Sequence, residues 1–303
     1  MKHNSPKTVI IVTGPTASGK TSYAIRLAQA LNTEIISADS RQCFREMAIG
    51  VARPSAEELA AIPHHFIASH SIQDEVTAAT FETYALSKVN ELFQQQEQVI
   101  MVGGTGLYIK AFCEGLDLIP DIAPEIREQV KQEYETNGLG WLQETLKEKD
   151  PAFYNSGEIQ NPQRCMRALE VRLSTGRSII DYRTGRKAAR DFNVIKIGMD
   201  LPKEILHSQI NIRVEQMMQA GLETEVKALL PYRQLNALQT VGYSELFDFF
   251  DGKISREMAV EAIKTHTRQY AKRQLTWFRK DPGIRWFSPT DTEAHQSIIN
   301  LLK

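Results

Sequence analysis

A glycine-rich octapeptide near the start of the chain carries the clearest chemistry in the sequence. It reads Gly14-Pro15-Thr16-Ala17-Ser18-Gly19-Lys20-Thr21 and matches the phosphate-binding pattern G-x-x-x-x-G-K-[ST] at every fixed position. Backbone N–H groups of such a loop bind an anion at a helix N-terminus, where the helix dipole favours negative charge. Lys20 adds a positive charge, and the Thr21 hydroxyl is a predicted ligand for Mg²⁺. The motif predicts a site for linked phosphates, but it does not say whether a phosphoryl group is transferred or a pyrophosphate leaves.

Two residues at predicted strand ends are candidates for chemistry beside these phosphates. Asp39 follows a predicted strand over residues 34–38. This position is compatible with three roles: a Mg²⁺ ligand, a general base, or the cap of a turn with Ser40. The next predicted strand, over residues 99–102, ends in Gly103-Gly104-Thr105 and lacks the acid with which P-loop ATPases and GTPases help to hold Mg²⁺. The Thr105 hydroxyl either donates to a leaving oxygen or caps the turn.

Basic residues cluster in two segments of a chain whose formal net charge is −1. Arginine and lysine outnumber acids over residues 160–190, and again over residues 264–285, where aromatic residues are interleaved with them. Basic side chains beside aromatic rings suit a nucleic-acid backbone with stacked bases, although a single such cluster is more often a solvated helix face. Two arginines stand apart from the clusters: Arg213 either clamps a pyrophosphate or is an ordinary surface arginine, and the same alternatives hold for Arg127.

The bulk composition is that of an ordinary globular protein. Of the 303 residues, 42% are hydrophobic and 24% are charged. The length suffices for one large α/β domain or for one domain that carries an insertion. Cys43, Cys113 and Cys165 lie far apart and in no metal-binding pattern, which predicts a reducing cytoplasm without a disulfide framework or a zinc site. The apolar run after residue 7 is too short for a signal or membrane segment, so no membrane partner is expected.

Strands and helices alternate around the candidate residues. Strands are predicted at residues 8–13, 34–38, 99–102, 194–199 and 284–287. Helices are predicted at about 22–31, 80–96, after residue 106 to about 114, 203–220, 222–230 and 256–279, with a terminal helix after residue 287. This order predicts an α/β fold, a P-loop NTPase-like parallel sheet flanked by helices. Two prolines near residue 120, followed by helical patterns, predict an all-helical insertion domain over residues 120–190 inside a catalytic core of residues 1–119 and 191–303.

Three functions fit these features. One is a small-molecule kinase that binds ATP under a helical lid, and another is a transferase in which pyrophosphate leaves and a nucleic acid is the acceptor. The lone Asp39, the missing strand-end acid and the paired basic clusters favour the transferase. The third is a non-catalytic nucleotide-binding RNA module, which leaves Asp39 and Thr105 without a role.

Several longer strings resemble tRNA dimethylallyltransferases of the bacterial type. They are the octapeptide, Ile36-Ser37-Ala38-Asp39-Ser40, Val102-Gly103-Gly104-Thr105-Gly106-Leu107-Tyr108, residues 161–171, Val241-Gly242-Tyr243 and residues 267–279. They follow one another in the expected order over nearly the whole chain. The resemblance implies transfer of the dimethylallyl group of dimethylallyl diphosphate to N6 of adenosine 37, next to the anticodon of tRNA. It also implies a cytoplasmic enzyme, which we expect to be a monomer.

The resemblance gives each candidate residue a role. Asp39 takes the N6 proton as general base, while Thr105 and Arg127 act on the donor. Residues 14–21 and Arg213 bind the diphosphate with Mg²⁺ near Thr21. The positions that match tRNA-contacting segments of the family are Asp39, Ser40, Arg41, Gln42, Gln163, Arg164, Cys165, Met166, Arg167, Gln239, Val241, Gly242, Tyr243, Lys272, Arg273, Gln274, Trp277 and Arg279. The helical insertion is expected to grip the anticodon stem.

The chain departs from the family pattern at a few positions. Gln209 stands where an arginine is common one turn before Arg213, and Arg41 and Cys43 stand where apolar residues are frequent beside Asp39. An adenylate isopentenyltransferase, which prenylates free AMP, ADP or ATP, shares the core chemistry. It needs neither the insertion nor the basic helix over residues 272–279, so their presence favours tRNA as the acceptor.

Overall fold

One parallel sheet of six strands organises the first of two units in the computed structural model, which describes residues 7–289 and residue 298. The strands are β1 (Thr8–Thr13), β2 (Ile35–Ser37), β3 (His64–His65), β4 (Gln98–Gly103), β5 (Asn193–Met199) and β6 (Ile284–Phe287). They lie in the order β3-β2-β4-β1-β5-β6, and every neighbouring pair is parallel. The carboxyl ends of β1, β2 and β4 therefore lie at the same end of the sheet, where ligands bind in such folds.

Helices cover both faces of this sheet. In chain order, the α-helices that the structure describes over residues 7–289 are α1 (Lys20–Leu31), α2 (Ala56–Ala61), α3 (Ala78–Leu92), α4 (Gly106–Glu114), α5 (Pro124–Lys149), α6 (Pro151–Tyr154), α7 (Pro162–Thr175), α8 (Lys203–Gln219), α9 (Leu222–Ala228), α10 (Ser244–Phe250) and α11 (Arg256–Phe278). Because successive strand residues point to opposite faces, Val9 and Ile11 pack with α3, α4, α10 and α11. Ile10 and Val12 pack with α1 on the other face.

The predicted alternation of strands and helices is confirmed, with small shifts at the element ends. The helix predicted at 80–96 is α3, which begins earlier because the Thr77 side chain caps it by accepting the Thr80 N–H. Sequence reasoning missed β3, α2 and α10, which are too short for a periodic pattern to mark them. The predicted terminal helix falls, except for Ile298, outside the described residues.

Residues 114–188 form the second unit, which contains α5, α6 and α7 and has its own apolar core. α5 changes direction at Gly138, whose backbone is non-helical with φ 73°. The unit begins at Glu114, whereas composition alone set the beginning of the insertion at residue 120. The carbonyl of Glu114 accepts the Ala188 N–H (2.7 Å), and the Asp117 carboxylate accepts the Thr184 N–H (2.9 Å), so these hydrogen bonds join the two ends of the segment.

No helix within the described part of the chain is both long and apolar enough to cross a membrane.

Candidate active site

The predicted phosphate-binding loop connects β1 to α1, as the motif requires. A Cβ on Gly14 would lie 2.6 Å from the carbonyl oxygen of Met199, so only glycine fits at this position. Gly19 has a left-handed backbone (φ 78°) and is the N-cap of α1, whose first residue is Lys20. Ser18 is buried, and its Oγ has no hydrogen-bond partner among the described residues. A buried hydroxyl of this kind at a helix N-terminus fits an anion oxygen.

The turns that follow β2 and β4 touch each other beside this loop. A Cβ on Gly103 would lie 2.1 Å from the carbonyl oxygen of Ala38, so the close approach depends on glycine. The Thr105 N–H donates to that carbonyl at 3.2 Å. The Thr105 Oγ1 accepts the Ser40 N–H (3.0 Å) and donates to the Ser40 Oγ (3.3 Å). The Thr105 hydroxyl therefore holds the turn after β2, and its contact with a donor substrate stays a prediction.

Asp39 lies in the turn that Thr105 holds. Its Oδ1 accepts the backbone N–H groups of Arg41 (2.9 Å) and Gln42 (3.2 Å), so one carboxylate oxygen caps the turn as predicted. Within the described residues no hydrogen bond reaches Oδ2, which leaves that oxygen able to accept a proton. The two predicted roles of Asp39, cap and base, are thus compatible because they use different oxygens.

A cavity of about 1090 Å³ brings several candidate residues together: Thr16, Lys20, Thr21, Asp39 and Arg213 line it, whereas Thr105 does not. Burial and, less strongly, the charge of Arg213 lower the pKa of Lys20 to about 8, while the charge of Asp39 opposes them. Burial also lowers the pKa of the Arg213 guanidinium, although the charge of Asp39 opposes this shift. Because the two cations repel each other, an anion that binds between them is favoured.

The lowered pKa of Lys20 predicts a pH dependence of anion binding. Lys20 is cationic below about pH 8 and loses its charge above it, so diphosphate binding should weaken as the pH rises. We expect the Kd of inorganic pyrophosphate, measured by calorimetry, to increase by up to about tenfold per pH unit above this pKa. In a Lys20→Arg variant, whose charge persists, the profile should be flatter. Parallel profiles for the two proteins would contradict the assignment.

The same cavity offers oxygen ligands for a magnesium ion. Thr21 and Asp39 both line it, and among the described residues no cluster of three His, Cys, Asp or Glu side chains forms a complete metal site. Mg²⁺ keeps several waters and is usually held by one or two protein oxygens together with substrate phosphates. These residues therefore fit Mg²⁺ bound together with a diphosphate, and they do not fit a metal held by protein side chains alone.

A segment over residues 48–54 also lines the cavity, and it is anchored by Glu225 of α9. The Glu225 carboxylate accepts the N–H groups of residues 48–50 at 2.8–3.0 Å and the hydroxyl of Tyr243 at 2.6 Å. Tyr243 is fully buried, and burial together with the charge of Glu225 raises the pKa of its hydroxyl. The Tyr243 side chain therefore positions this segment through Glu225, and a contact of residue 243 with tRNA stays a prediction.

Two glutamines predicted to contact tRNA use their amides within the protein. The Gln42 Nε2 donates to the carbonyl oxygens of Val51 (3.2 Å) and Ala52 (3.0 Å). Gln274 of α11 is buried and bonds to the phosphate-binding loop and to the turn after β4. The Gln274 amide is thus bonded within the protein on both sides, and a contact of this residue with tRNA stays a prediction.

The remaining predicted contacts of this unit lie near the cavity or on the exposed face of α11. Val241 and Gly242 line the cavity, and the Gln239 amide donates to the Arg233 carbonyl at 2.7 Å. On α11 and just after it, Lys272, Arg273, Trp277 and Arg279 are exposed. Arg279 is paired with Asp200 (2.7 Å) and Arg273 lies over the Tyr270 ring (5.7 Å). Lys272 and Arg273 form no ion pair within the described part of the chain, so both charges are available to an anionic partner.

The predicted contacts in the second unit lie on α7. Gln163 and Arg164 are exposed, and Met166 and Arg167 are half-buried. Cys165 is fully buried, and its Sγ lies 3.4 Å from the carbonyl oxygen of Ile159. The Cys165 side chain therefore lies in the core of its unit, and a contact of this segment with tRNA stays a prediction.

The basic cluster over residues 160–190 has fewer unpaired charges for an anionic partner than its composition implied. Glu158 pairs with Arg164 (3.2 Å) and Arg183 (2.9 Å), and Glu170 pairs with Arg167 (3.4 Å). These pairs neutralise part of the positive charge that the sequence placed there. Arg127 lies on α5, and its charge acts on Glu170 in the same unit. Its predicted contact with the donor diphosphate stays a prediction.

Sequence reasoning missed two cavity residues, Glu58 of α2 and His64 of β3. Burial lowers the pKa of the His64 imidazole, and its Nδ1 lies 2.8 Å from the carbonyl oxygen of Ile62. Both residues come from elements that no periodic pattern had marked, so the sequence offered no signal for them.

The fold and this cavity define a P-loop protein in which the carboxylate of Asp39, at the end of β2, shares the phosphate site. The sequence profile of the family described as IPP transferase matches residues 42–281. The chain belongs to the IPP transferase family.

Named relatives and solved structures agree with this family. The chain is 50% identical over 279 residues to a tRNA dimethylallyltransferase of Christiangramia forsetii, covering 92% of each chain. It is 46% identical over 293 residues to a tRNA dimethylallyltransferase of Cytophaga hutchinsonii, covering 97% of this chain and 96% of the relative.

Among solved structures, it resembles a tRNA isopentenylpyrophosphate transferase of Bacillus halodurans (TM-score 0.72, 33% identity, 98% and 95% coverage). It also resembles a eukaryotic dimethylallyltransferase acting on tRNA (TM-score 0.80, 26% identity, 97% and 78% coverage).

Proposed function

We propose that this chain transfers the dimethylallyl group of dimethylallyl diphosphate to N6 of adenosine 37 in tRNA. The observation that carries the proposal is the shared cavity of Lys20, Arg213 and Asp39. It combines cations for a departing diphosphate with a carboxylate for the acceptor proton. The names of the curated relatives, and the action on tRNA of the eukaryotic neighbour, support the same reaction.

In this reaction the donor is bound by its diphosphate. Backbone N–H groups of the phosphate-binding loop, together with Lys20 and Arg213, offset the charge that grows on the diphosphate as the C–O bond of the donor breaks. The electron pair of that bond leaves with the diphosphate, and the N6 nitrogen forms the new bond to carbon. The N6 proton passes to the Oδ2 of Asp39, which acts as general base. Thr105 holds the turn that carries this carboxylate.

The reaction is proposed to include a magnesium ion held by Thr21. When bound, Mg²⁺ would neutralise part of the diphosphate charge. With Thr21 as the proposed protein ligand of this ion, the Oδ2 of Asp39 is left to serve the acceptor nitrogen, while its Oδ1 accepts two backbone N–H groups.

The acceptor tRNA is proposed to bind the exposed face of α11. Lys272 and Arg273 are exposed there and are free of ion pairs among the described residues. The target base must leave its stack to reach Asp39 in the cavity. Proteins read RNA bases mostly in single-stranded loops, and the anticodon loop is one of these. The helical unit is proposed to grip the anticodon stem through exposed residues such as Gln163.

Neutralising the basic face of α11 should weaken tRNA binding and make it less sensitive to salt. For Lys272→Ala with Arg273→Ala, we expect the slope of log K against log salt to fall by about 0.7 for each RNA phosphate that the variant no longer neutralises. A matched control is Lys203→Ala with Lys227→Ala, which removes two exposed lysines on α8 and α9. Filter binding at several salt concentrations measures both. An unchanged slope in the α11 variant would place the tRNA surface elsewhere.

A transfer assay tests the proposed function directly. Purified protein is mixed with Mg²⁺, labelled dimethylallyl diphosphate and unmodified tRNA whose anticodon is followed by adenosines, and label should appear in tRNA at position 37. Parallel reactions with free AMP or ADP as acceptor test the adenylate alternative, and reactions with ATP and candidate alcohols test the kinase. Label in AMP but not in tRNA, or phosphoryl transfer from ATP, would contradict the proposal.

We propose that the enzyme acts as a monomer in the cytoplasm. The residues assigned to the diphosphate and to the acceptor proton, Lys20, Arg213 and Asp39, line one cavity. The buried Cys43, whose thiol pKa burial raises to about 12, is an unreactive thiol that suits a reducing compartment.

A further inference from the structure

We propose that Gln274 is a positioning residue that fixes the spacing between the diphosphate half of the cavity and the half that carries the base. The inference rests on the transferase function proposed above, and it gives Gln274 a task other than contact with tRNA. Gln274 lies on α11, the helix that also presents Lys272 and Arg273.

The Gln274 amide joins two loops that are far apart in the sequence. Its Oε1 accepts the backbone N–H of Thr16 at 2.8 Å, and its Nε2 donates to the carbonyl oxygen of Gly104 at 3.0 Å. A Cβ on Gly104 would lie 2.2 Å from this Nε2, so the amide reaches the turn because residue 104 is glycine. Gln274 is only 7% exposed, and its bond to Gly104 is buried, while its bond to Thr16 is partly buried.

From Gly104 the connection continues to the proposed base. The next residue, Thr105, donates its N–H to Ala38 and holds Ser40 through its hydroxyl. Ser40 adjoins Asp39, whose Oδ1 closes the same turn. A continuous series of hydrogen bonds and short chain segments thus runs from the phosphate-binding loop through Gln274 to Asp39. The Thr13 hydroxyl bonds to the Gly103 carbonyl at 3.1 Å and joins the strand ends, whereas Gln274 joins the loops beyond them.

This spacing matters because both substrates react through groups held by different loops. The donor carbon and the acceptor nitrogen must approach to about 3 Å in line, and a misplacement of about 1 Å costs on the order of 10²-fold in rate. Loss of the Gln274 bridge should therefore reduce kcat more than it reduces the affinity for either substrate.

The test compares Gln274→Met, which has similar length but neither hydrogen bond, with Gln269→Met, which changes an exposed glutamine on the same helix. For Gln274→Met we expect kcat to fall on the order of 10²-fold, with the Kd of pyrophosphate and of tRNA each within about threefold of wild type. Gln269→Met should match wild type. Wild-type kcat in Gln274→Met, or weakened tRNA binding at unchanged kcat, would overturn the inference.

A Gln274→Glu variant gives a second readout if Gln274→Met fails to fold. An ionised glutamate still accepts the Thr16 N–H but cannot donate to Gly104, whereas a protonated one can do both. Its kcat relative to wild type should rise as the pH falls from 8 to 6, and a flat ratio would overturn the inference. If the wild-type protein transfers no label, the proposed function fails and the inference falls with it. If the wild-type protein is active and the Gln274 variants are equally active, the inference alone fails.

Discussion

Asp39→Asn should lower kcat for dimethylallyl transfer by about 10²–10⁴-fold, the range usual for loss of a general base. Asparagine has the same shape, and its oxygen can still accept the N–H groups of Arg41 and Gln42, so the turn should persist. What it lacks is the ability to take the N6 proton. We therefore expect the Kd for tRNA to stay within a few-fold of wild type while single-turnover transfer collapses.

Asp191→Asn is the matched control for this substitution. Asp191 is exposed and belongs to the same unit, and it should retain full activity. Activity of Asp39→Asn within a few-fold of wild type would show that another group accepts the proton. A parallel loss of tRNA binding would instead show that Asp39 acts mainly by capping its turn.

Lys20→Met should produce the second large effect, a loss of about 10²–10³-fold in kcat/KM for the donor. The substitution removes one of the two cations that face the diphosphate and leaves Arg213. Affinity for tRNA should not change. Lys20→Arg keeps the charge and should retain part of the activity, although its planar head group does not reproduce the lysine geometry. Full activity of Lys20→Met with dimethylallyl diphosphate would remove Lys20 from the mechanism.

Lys20→Met should not lower the stability of the folded protein. Burial lowers the pKa of Lys20 from 10.5 to about 8, so its charge is disfavoured in the fold. Between these pH values the unfolded chain binds more protons, and the contribution of Lys20 to stability rises with pH. Below about pH 8 the cost is fully present, and we expect the Tm of Lys20→Met near pH 7 to equal or exceed that of wild type. A lower Tm would indicate that the bond from Lys20 to the Pro15 carbonyl stabilises the loop more than burial of the charge destabilises it.

The charge pattern of the sequence was a weak guide to which basic side chains are free of ion pairs in the structure. The cluster over residues 160–190 was defined by its basic residues alone. In the structure, Glu158 and Glu170 pair with three of its arginines. On α11, by contrast, Lys272 and Arg273 are exposed and no ion pair within the described residues involves them. Ion pairs depend on which side chains fold beside each other, so a count of charges along the chain cannot separate these two cases.

The sequence by itself determined the local parts of this protein. The strand, loop and helix around residues 14–21 follow from an apolar run, two glycines and a helical pattern that lie within one short segment. The position of Asp39 at a strand end could be predicted because the apolar strand lies directly before it in the sequence. Elements too short to show a period, such as β3 and α2, were not readable, and with them His64 and Glu58 were missed.

Only the tertiary structure decided how these parts are held in place. Gln274 and Thr16 are 258 positions apart, and Glu225 lies 175 to 177 positions from the N–H groups that it accepts. The burial of Tyr243 and Cys165 likewise depends on which face of the surrounding structure each side chain meets. Local patterns report the conformation of neighbouring residues, whereas hydrogen bonds between distant segments form only after the sheet has brought those segments together.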